Sequence, residues 1–374
     1  MKTFKLSTQT VFLIRRVTSA LAVIFSASLI VAIILSGLLP LKYLLISIAI
    51  IIVLDAFALA MLLRSKKRNR ARAIGYLIAV MMIIMSIGGL YGLSNSLNLL
   101  NQVTGNSAIK KKDIDNTKPF NVYISGIDTW GDISTVSRSD VNIVATINPT
   151  TKRILLTTIP RDSYVPIAGG GNNQYDKLTH AGNYGVESSM QTVANLLDSK
   201  IDNYIRINFT SFMKMIDGIG GITVANPVTF TTDDGHVYKQ GNLYLMGEDA
   251  LQFSRERHNL DGGDNDRGKN QERVITAIFN KLMSPSVIYH YQNVLSVIGD
   301  SVQTNISPKS ITALINQQID SGASWKVEST DISGKGQTGG LPSYAMPSSQ
   351  LYMFVIDQTS LQQTKERIKA AIRV

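Results

Sequence analysis

Residues 120–162 read FNVYISGIDTWGDISTVSRSDVNIVATINPTTKRILLTTIPRD and predict three consecutive β-strands. Runs rich in β-branched and aromatic residues cover 120–127, 141–147 and 153–159, as is typical of strands. The second and third runs are joined by Asn148-Pro149-Thr150-Thr151, a sequence that favours a tight turn. The stretch therefore predicts the beginning of a sheet, with polar loops between its strands.

Helical and strand-like patterns alternate through the rest of the chain. Helical periodicity covers 186–197, 210–216, 248–257, 270–283, 287–298, 308–319 and 361–372, and further strand-like runs cover 204–209, 222–225, 325–329 and 351–356. Strands interspersed with helices pack best as layers around one sheet. The predicted fold class is an α/β (α+β) sandwich, with a central mixed sheet flanked by helices.

Three apolar stretches precede this domain, at residues 17–39, 43–63 and 73–93. Each is 21 to 23 residues long, which is enough to cross a hydrocarbon core of ~30 Å. A cleaved signal peptide would have a single, shorter apolar run. We therefore predict a membrane anchor of three transmembrane helices over 1–93, a polar tether over 94–119 and a catalytic domain over 120–374.

Positive charge sets the predicted orientation in the membrane. Residues 64–72 hold six Lys or Arg, between the second and third spans, so this loop is expected in the cytoplasm. The catalytic domain is then extracytoplasmic. The net charge of +10 arises within residues 1–72, which hold eleven Lys or Arg and one acid. The charge is thus a sign of membrane topology, and it does not indicate nucleic-acid binding.

Two aspartates lie at the ends of the first two predicted strands. Asp128 follows the first strand and Asp140 precedes the second. If the strands are neighbours, both carboxylates lie at the same end of the sheet. Two hard oxygen ligands, with room for waters and phosphate oxygens, are typical of a Mg²⁺ site. Paired aspartates at strand ends are, however, more often turn formers.

Several arginines lie in the same polar segments. They are Arg138, Arg161, Arg255, Arg257 and Arg267. A planar guanidinium binds phosphate oxygens through two parallel hydrogen bonds. Each arginine alone is more often part of a surface ion pair, but several that converge on one point indicate an anion between them.

Six separated motifs that contain these residues resemble the successive signatures of the LytR-CpsA-Psr family. They are ISGID (124–128), SRSD (137–140), TIPRD (158–162), DKLTHAG (176–182), FSRER (253–257) and DNDRGKNQ (264–271). They occur in the family's order and cover roughly residues 120–285. The three spans and the sequence LPSYAMP at 341–347 are most similar to the streptococcal capsule-type members.

The resemblance implies a Gram-positive cell-wall enzyme anchored in the lipid membrane. Such enzymes transfer an anionic glycopolymer, either capsular polysaccharide or a teichoic-acid-like polymer, from undecaprenyl diphosphate to a peptidoglycan sugar through a phosphodiester. The resemblance also implies that Asp128 and Asp140 hold Mg²⁺ and that Asp264 is the candidate base. Arg255 and Arg257 are expected in catalysis, and the implied diphosphate-binding residues are Arg138, Arg161, Arg255, Arg257, Arg267, Gln271 and Lys177.

Other functions stay open from the sequence. A polyprenyl diphosphate hydrolase would have the same site, with water replacing the sugar hydroxyl. A non-catalytic regulator of polysaccharide synthesis or of transcription is a further alternative, although a helix-turn-helix cannot fit in the nine-residue basic loop.

Two expectations concern the surroundings of the site. The helices at 274–283 and 287–298 are candidate walls of a lipid cavity, and they are equally compatible with ordinary core packing. The four histidines lack close metal-ligand spacing and are expected in turns and packing; they are His180, His236, His258 and His290.

Overall fold

The computed structural model describes residues 7–64, 69–105, 111–284 and 302–373. These residues form two compact units, one of which contains residues 1–98 and the other most of the remaining chain. Residues 65–68 of the predicted basic loop and the predicted helix at 287–298 lie outside the described residues.

The first unit is built from three long helices, α1 (Thr8–Ser36), α2 (Leu41–Arg64) and α3 (Asn69–Gly105). Ser7 caps α1 by accepting a hydrogen bond from the Thr10 backbone N–H, and Gly37 ends it in the left-handed conformation at φ 61°. Three spans in these helices, Gln9–Ser36, Leu41–Leu63 and Arg70–Asn98, are long and apolar enough to cross a membrane. The chain is therefore membrane-anchored.

The predicted tether differs from the structure in its first half. Residues 94–105 continue α3, because the sequence from Ser94 to Thr104 contains no proline or glycine that would end the helix. Residues near its end are fixed as well, since the Ile114 N–H donates to Ser310 Oγ over 2.8 Å. The domain boundaries at 93 and 119 themselves stay a prediction.

The second unit contains the remaining elements, apart from residues 315–320, which are grouped with the first. Its strands are β1 (Phe120–Ile127), β2 (Ser139–Asn148), β3 (Arg153–Thr158), β4 (Tyr164–Pro166), β5 (Tyr175–Lys177), β6 (Asn203–Asn208), β7 (Ile222–Asn226), β8 (Phe230–Thr231), β9 (Val237–Tyr238), β10 (Gly241–Leu245), β11 (Gln303–Thr304), β12 (Lys326–Asp331), β13 (Gly334–Thr338) and β14 (Tyr352–Ile356). Its α-helices are α4 (Val186–Leu197), α5 (Phe209–Gly218), α6 (Gly247–Arg255), α7 (Asp264–Leu282), α8 (Pro308–Ser321) and α9 (Gln358–Ile372), and 3-10 helices cover Gly169–Gly171 and Leu178–Tyr184.

A six-stranded mixed sheet in the order β11-β6-β1-β2-β3-β12 forms the centre of this unit. Strand β1 pairs parallel to β6 and antiparallel to β2, and β2 pairs antiparallel to β3. The carboxyl ends of β1, β3 and β6 and the amino end of β2 therefore meet at one edge, which we call the functional edge. The fold class predicted from the sequence is confirmed.

Alternate residues of the strands serve two different cores. Tyr123 and Val144 pack with α4 and α9 on one face of the sheet, whereas Ile124 and Ile143 pack on the opposite face with Ile275 of α7. This alternation is the two-residue period of extended backbone, and it buries both faces. A further apolar cluster joins α5, α6 and α7 to the two-stranded sheet of β7 and β10. Helix α7 thus lies between the central sheet and this smaller sheet.

Candidate active site

A β-bulge places the two predicted metal ligands at the functional edge. Gly126 pairs with Val141 and Ile127 pairs with Ser139, so Asp140 is an extra residue on β2. A bulge of this kind turns a side chain out of the regular alternation, and bulges are frequent beside active sites. Asp128 follows the end of β1 and is exposed. The structure therefore brings both carboxylates to the same end of the sheet, as predicted.

Asp140 is held by two partners from other segments. Thr179 Oγ1 donates to Asp140 Oδ1 over 3.0 Å, and Arg161 NH1 lies 3.2 Å from Asp140 Oδ2. Thr179 belongs to the 3-10 helix Leu178–Tyr184, which approaches the bulge very closely at Gly182. A Cβ at Gly182 would lie 2.5 Å from the Ser137 carbonyl oxygen. Only glycine allows this approach, which fixes the segment that carries Arg138 and Asp140.

The loop between β1 and β2 is anchored by a buried cation. Arg206 of β6 is 5% exposed, and it donates to the carbonyl oxygens of Ile133 over 3.1 Å and of Thr135 over 2.6 Å. Burial lowers the pKa of Arg206 from its ordinary value, yet arginine stays charged in proteins. A second buried network lies under the loop, where Tyr123 Oη donates to Asn142 Oδ1 over 2.6 Å. The loop that presents Arg138 is thus tied to β6 through two of its carbonyl oxygens.

Helix α6 and the segment after it present two further arginines. The Arg255 guanidinium carbon lies 4.5 Å from the centroid of the Phe209 ring, a cation–π contact. Arg257 Nε donates to His258 Nε2 over 3.1 Å, and His258 Nδ1 lies 3.3 Å from Asp233 Oδ2. His258 thus contacts Arg257 through Nε2 and Asp233 through Nδ1. Because Arg257 uses Nε for its contact with His258, its two terminal nitrogens are directed elsewhere and can bind an anion.

Asp233 is the carboxylate at the end of this chain of contacts. Hydrogen bonds from Asn259 Nδ2, at 2.8 Å, and from His258 hold the pKa of Asp233 below its ordinary value. Asp233 therefore helps to orient the His258 ring beside Arg257. The sequence predicts that His258 lies in a turn or in packing. In the structure, His258 lines the cavity that is described in the next paragraph. The contact with Asp233 spans 25 residues, so local sequence carried no signal of it.

A cavity of about 1060 Å³ opens between the functional edge and helices α5, α6 and α7. Its apolar wall includes Ile124, Val141, Phe212, Val274, Ile275 and Ile278. Its charged lining residues are the five arginines Arg138, Arg161, Arg255, Arg257 and Arg267 and the six acids Asp128, Asp140, Asp233, Asp234, Glu248 and Glu256. Residues 274–283 were a candidate wall from sequence, and three of them do line this cavity. The arrangement suits an amphipathic ligand that has an anionic group and an apolar tail.

The structure brings most of the predicted site residues together, with two departures. Gln271 lines the cavity with the five arginines. Lys177 does not line it, because its Nζ lies 2.8 Å from Asp162 Oδ1 and the side chain is 14% exposed. Lys177 therefore holds Asp162, which lies next to Arg161 in the chain. Asp264 is the first residue of α7, and its side chain is outside what the structure describes.

Asp176, a residue of the motif at 176–182, is buried and has a structural role. Asp176 is 1% exposed and accepts hydrogen bonds from His180 Nδ1 at 2.8 Å, Ser343 Oγ at 2.8 Å and the Ala345 N–H at 2.7 Å. Burial alone would raise the pKa of Asp176, but these hydrogen bonds outweigh it and the pKa lies below its ordinary value. The Asp176 cluster, defined by these residues, thus ties residues 343–345 to the motif at 176–182. His180 has a structural role, as predicted.

The donor set at the functional edge fits a Mg²⁺ ion. Asp128 and Asp140 provide hard carboxylate oxygens on one cavity wall, and Mg²⁺ is commonly bound by one or two carboxylates together with substrate phosphates. Within the described residues, no group of three or more His, Asp or Glu side chains is arranged to hold a metal. An ion at this edge would therefore share its coordination with water and with the ligand's own oxygens.

Comparison with known proteins places this geometry in a family. The model of the LytR_cpsA_psr family matches residues 89–370, which is more than half of the chain. The chain therefore belongs to the LytR-CpsA-Psr family, and the resemblance noted from its motifs is confirmed.

Individual relatives agree with this assignment. The polyisoprenyl-teichoic acid–peptidoglycan teichoic acid transferase TagU of Enterococcus faecalis is 35% identical over 246 residues, which cover 64% of this chain and 80% of the relative. The crystal structure of B. subtilis TagV is 30% identical with a TM-score of 0.58, and the match covers 68% of this chain and 98% of TagV. The structure of TagT bound to LI-WTA is 28% identical with a TM-score of 0.54, covering 72% and 96% of the two chains.

Proposed function

We propose that this chain is a membrane-anchored transferase that moves an anionic glycopolymer from a polyprenyl diphosphate carrier to peptidoglycan. The observation that carries the proposal is the cavity, in which five arginines and Gln271 lie beside an apolar wall. A polyprenyl diphosphate has the same two-part character. The Enterococcus faecalis relative is named a teichoic acid transferase, so a teichoic-acid-like polymer is proposed in preference to a capsular one.

The arginines bind the carrier's diphosphate, which we take to be undecaprenyl diphosphate. Arg255 is oriented by Phe209, and Arg257 is oriented through its Nε by His258. Their terminal nitrogens provide paired donors for the phosphate oxygens. Charge develops on those oxygens in the transition state, and preorganised donors stabilise it without reorganising. Arg161 adds a donor that also contacts Asp140.

The transfer is a displacement at the phosphorus that carries the glycopolymer. The acceptor hydroxyl oxygen forms a bond to this phosphorus, and the bond from the phosphorus to the bridging oxygen breaks. Polyprenyl phosphate leaves with the electron pair, and the product is a phosphodiester. Asp264, at the start of α7, is the proposed base that takes the hydroxyl proton.

Asp128 and Asp140 are the proposed Mg²⁺ ligands. A bound Mg²⁺ ion would neutralise charge on the diphosphate. The chain's own contribution is to fix the two carboxylates, through the bulge at Asp140 and through the hydrogen bond from Thr179. Arg161 contacts Asp140 as well, so the cation-binding and phosphate-binding groups form one connected arrangement.

The catalytic unit is proposed to lie outside the cytoplasm. The charge pattern around the spans supports this topology, because residues 64–72 hold six Lys or Arg. A protease added to intact, wall-stripped cells should digest residues beyond 105 and spare the basic loop. Protection of the whole catalytic unit would contradict the topology.

Purified full-length protein tests the proposed reaction. The protein in detergent is incubated with Mg²⁺, a polyprenyl diphosphate-linked glycopolymer and a peptidoglycan oligosaccharide, and the products are identified by mass spectrometry. We expect a phosphodiester conjugate together with polyprenyl phosphate. Release of free phosphorylated glycopolymer without the conjugate would contradict transfer and identify a hydrolase.

A further inference from the structure

The indole of Trp130 is exposed at the cavity. It is 60% exposed and belongs to the cavity lining. Single exposed apolar side chains are common and need no explanation. Trp130 differs because the same loop buries Ile133 at 5% exposure. The loop therefore contributes one apolar residue to the core and presents a larger one at the surface.

The backbone on both sides of Trp130 is fixed. The Phe209 N–H donates to the Thr129 carbonyl oxygen over 3.2 Å, and Asn208 Nδ2 donates to the Gly131 carbonyl oxygen over 3.0 Å. Gly131 adopts φ 82°, a left-handed conformation that favours glycine and turns the chain after the tryptophan. These hydrogen bonds hold the loop in the conformation that exposes Trp130.

A series of aromatic contacts connects Trp130 to the proposed diphosphate site. The Trp130 and Phe209 rings meet edge to face with centroids 5.3 Å apart, and the Arg255 guanidinium lies over the same Phe209 ring. Trp130 therefore lies one ring away from a proposed phosphate-binding cation. Both Trp130 and Arg255 line the cavity, so a ligand held by Arg255 shares the cavity with the indole.

We propose that Trp130 is a stacking subsite for a sugar ring. The face of an aromatic ring carries partial negative charge, and the C–H hydrogens on one face of a pyranose carry partial positive charge. The two surfaces therefore attract each other. The inference rests on the proposed function, because both partners of that reaction are glycans. The ring that stacks is either the first sugar of the donor or the acceptor sugar of peptidoglycan.

The chain offers a direct optical test because it contains two tryptophans. Trp325 lies beside Lys326, which pairs with Arg153 at the edge of the sheet opposite the functional edge. Its contact with Lys152, 5.0 Å from the ring centroid, is also outside the site. In the full-length Trp325→Phe protein, Trp130 is the remaining indole and reports its own surroundings.

Fluorescence of this protein is measured in detergent with three probes: a peptidoglycan-derived tetrasaccharide, farnesyl diphosphate, and farnesyl diphosphate carrying one N-acetylglucosamine. A shift of the Trp130 emission to shorter wavelength with the tetrasaccharide identifies the acceptor as the source. A shift with the sugar-bearing diphosphate that exceeds the shift with farnesyl diphosphate identifies the donor. The proposal is overturned if the tetrasaccharide leaves the emission unchanged and the sugar-bearing diphosphate shifts it no more than farnesyl diphosphate does. It is also overturned if sugar-free phospholipid vesicles, added as a control, shift the emission equally.

Kinetics separate this inference from the proposed function. We expect Trp130→Ala to raise the KM for the sugar-bearing substrate identified above about tenfold, with kcat within about twofold, and Trp130→Phe to restore most of the loss. If the protein is a transferase and Trp130→Ala leaves the KM for the donor and the KM for the acceptor unchanged, the proposed function stands and the sugar subsite is excluded. Sugar-dependent emission in a protein without transfer activity would support the subsite and contradict the function.

Discussion

The carboxylates at the functional edge and the Asp176 cluster are close in the sequence but differ in exposure and in their use of hydrogen bonds. Asp128 is exposed on the cavity wall, whereas Asp176 is 1% exposed and accepts hydrogen bonds from side chains and backbone. A carboxylate with its oxygens directed at protein donors holds segments together. A carboxylate directed at a cavity is available to a ligand. The motif series therefore contains residues for two tasks, chemistry and scaffold. Asp128 and Asp176 are the extremes of exposure, and Asp140 is intermediate, since it lines the cavity while Thr179 and Arg161 contact its oxygens.

The largest expected effect is on the two carboxylates that line the cavity. Asp128→Ala and Asp140→Ala should each lower turnover by roughly a thousandfold or more, because each removes a proposed ligand of the charge-neutralising cation. The free energy of unfolding should change by less than about 1 kcal/mol for the exposed Asp128. Calorimetry of Mg²⁺ binding provides a second readout. Unchanged Mg²⁺ affinity in both variants would show that the carboxylates are ordinary turn residues.

The Asp176 cluster should show the opposite response. Asp176→Ala leaves the donors of His180, Ser343 and Ala345 without their acceptor, and should lower the free energy of unfolding by about 3 kcal/mol. Denaturant unfolding measures this loss, with the exposed Glu366→Ala as control. Activity measured well below the unfolding midpoint should largely remain. A stable Asp176→Ala protein without activity would place Asp176 in the chemistry.

The same cluster predicts how acid affects stability. Because the pKa of Asp176 lies below its ordinary value in the folded protein, its stabilisation is present above the unfolded carboxyl pKa of about 3.9. It is lost as the pH falls through the folded value. The pH dependence of unfolding in Asp176→Asn should therefore be shallower than in the wild type below about pH 4. Parallel curves would contradict the charged state of Asp176.

An intermediate effect is expected where the two regions meet. Gly182→Ala places a Cβ 2.5 Å from the Ser137 carbonyl oxygen and 2.7 Å from the Ser139 nitrogen. The backbone must move, and Arg138 and Asp140 move with it. We expect activity to fall by roughly ten- to a hundredfold, since small displacements of positioned groups have effects of this size. Gly268→Ala, which has open space for the new Cβ, is the matched control.

The smallest effect tests geometry against charge. Arg255→Lys and Arg257→Lys keep the positive charge but lose the planar pair of donors, and each should lower activity about tenfold. Arg153→Lys is the control, because Arg153 forms an exposed ion pair with Glu328 away from the cavity. Arg273 is less suitable as a control, since it is partly buried and donates to Asn270 Oδ1. Wild-type rates in both test variants would place the diphosphate elsewhere.

Local patterns were sufficient for the elements that carry the site. Periodicity placed α4 at residues 186–197, and the turn at 148–151 identified the β2-β3 pair. Because β1, β2 and β3 are antiparallel neighbours, the position of Asp128 and Asp140 at one edge followed from chain order. The extent of α3 was harder to predict, because polar residues at 94–105 resemble a linker even though they form a helix.

Contacts between distant segments could not be predicted from the sequence. The Lys177–Asp162 ion pair, the contact of His258 with Asp233 and the anchoring of the loop by Arg206 join residues that are 15 to 73 positions apart. The bulge at Asp140 likewise depends on the pairing of two strands. No local pattern encodes these features, since they arise when the sheet and its helices pack.

Native mass spectrometry of the full-length protein, purified in a mild detergent from cell membranes, tests most directly whether the cavity holds a polyprenyl phosphate carrier. We expect one polyprenyl phosphate or diphosphate per chain, retained because apolar residues of α7 and the arginines bind its two parts together. Reduced retention is expected in an Arg255→Ala, Arg257→Ala double variant. Protein that carries no polyprenyl lipid, or carries equal amounts with and without the two arginines, would contradict this assignment of the cavity.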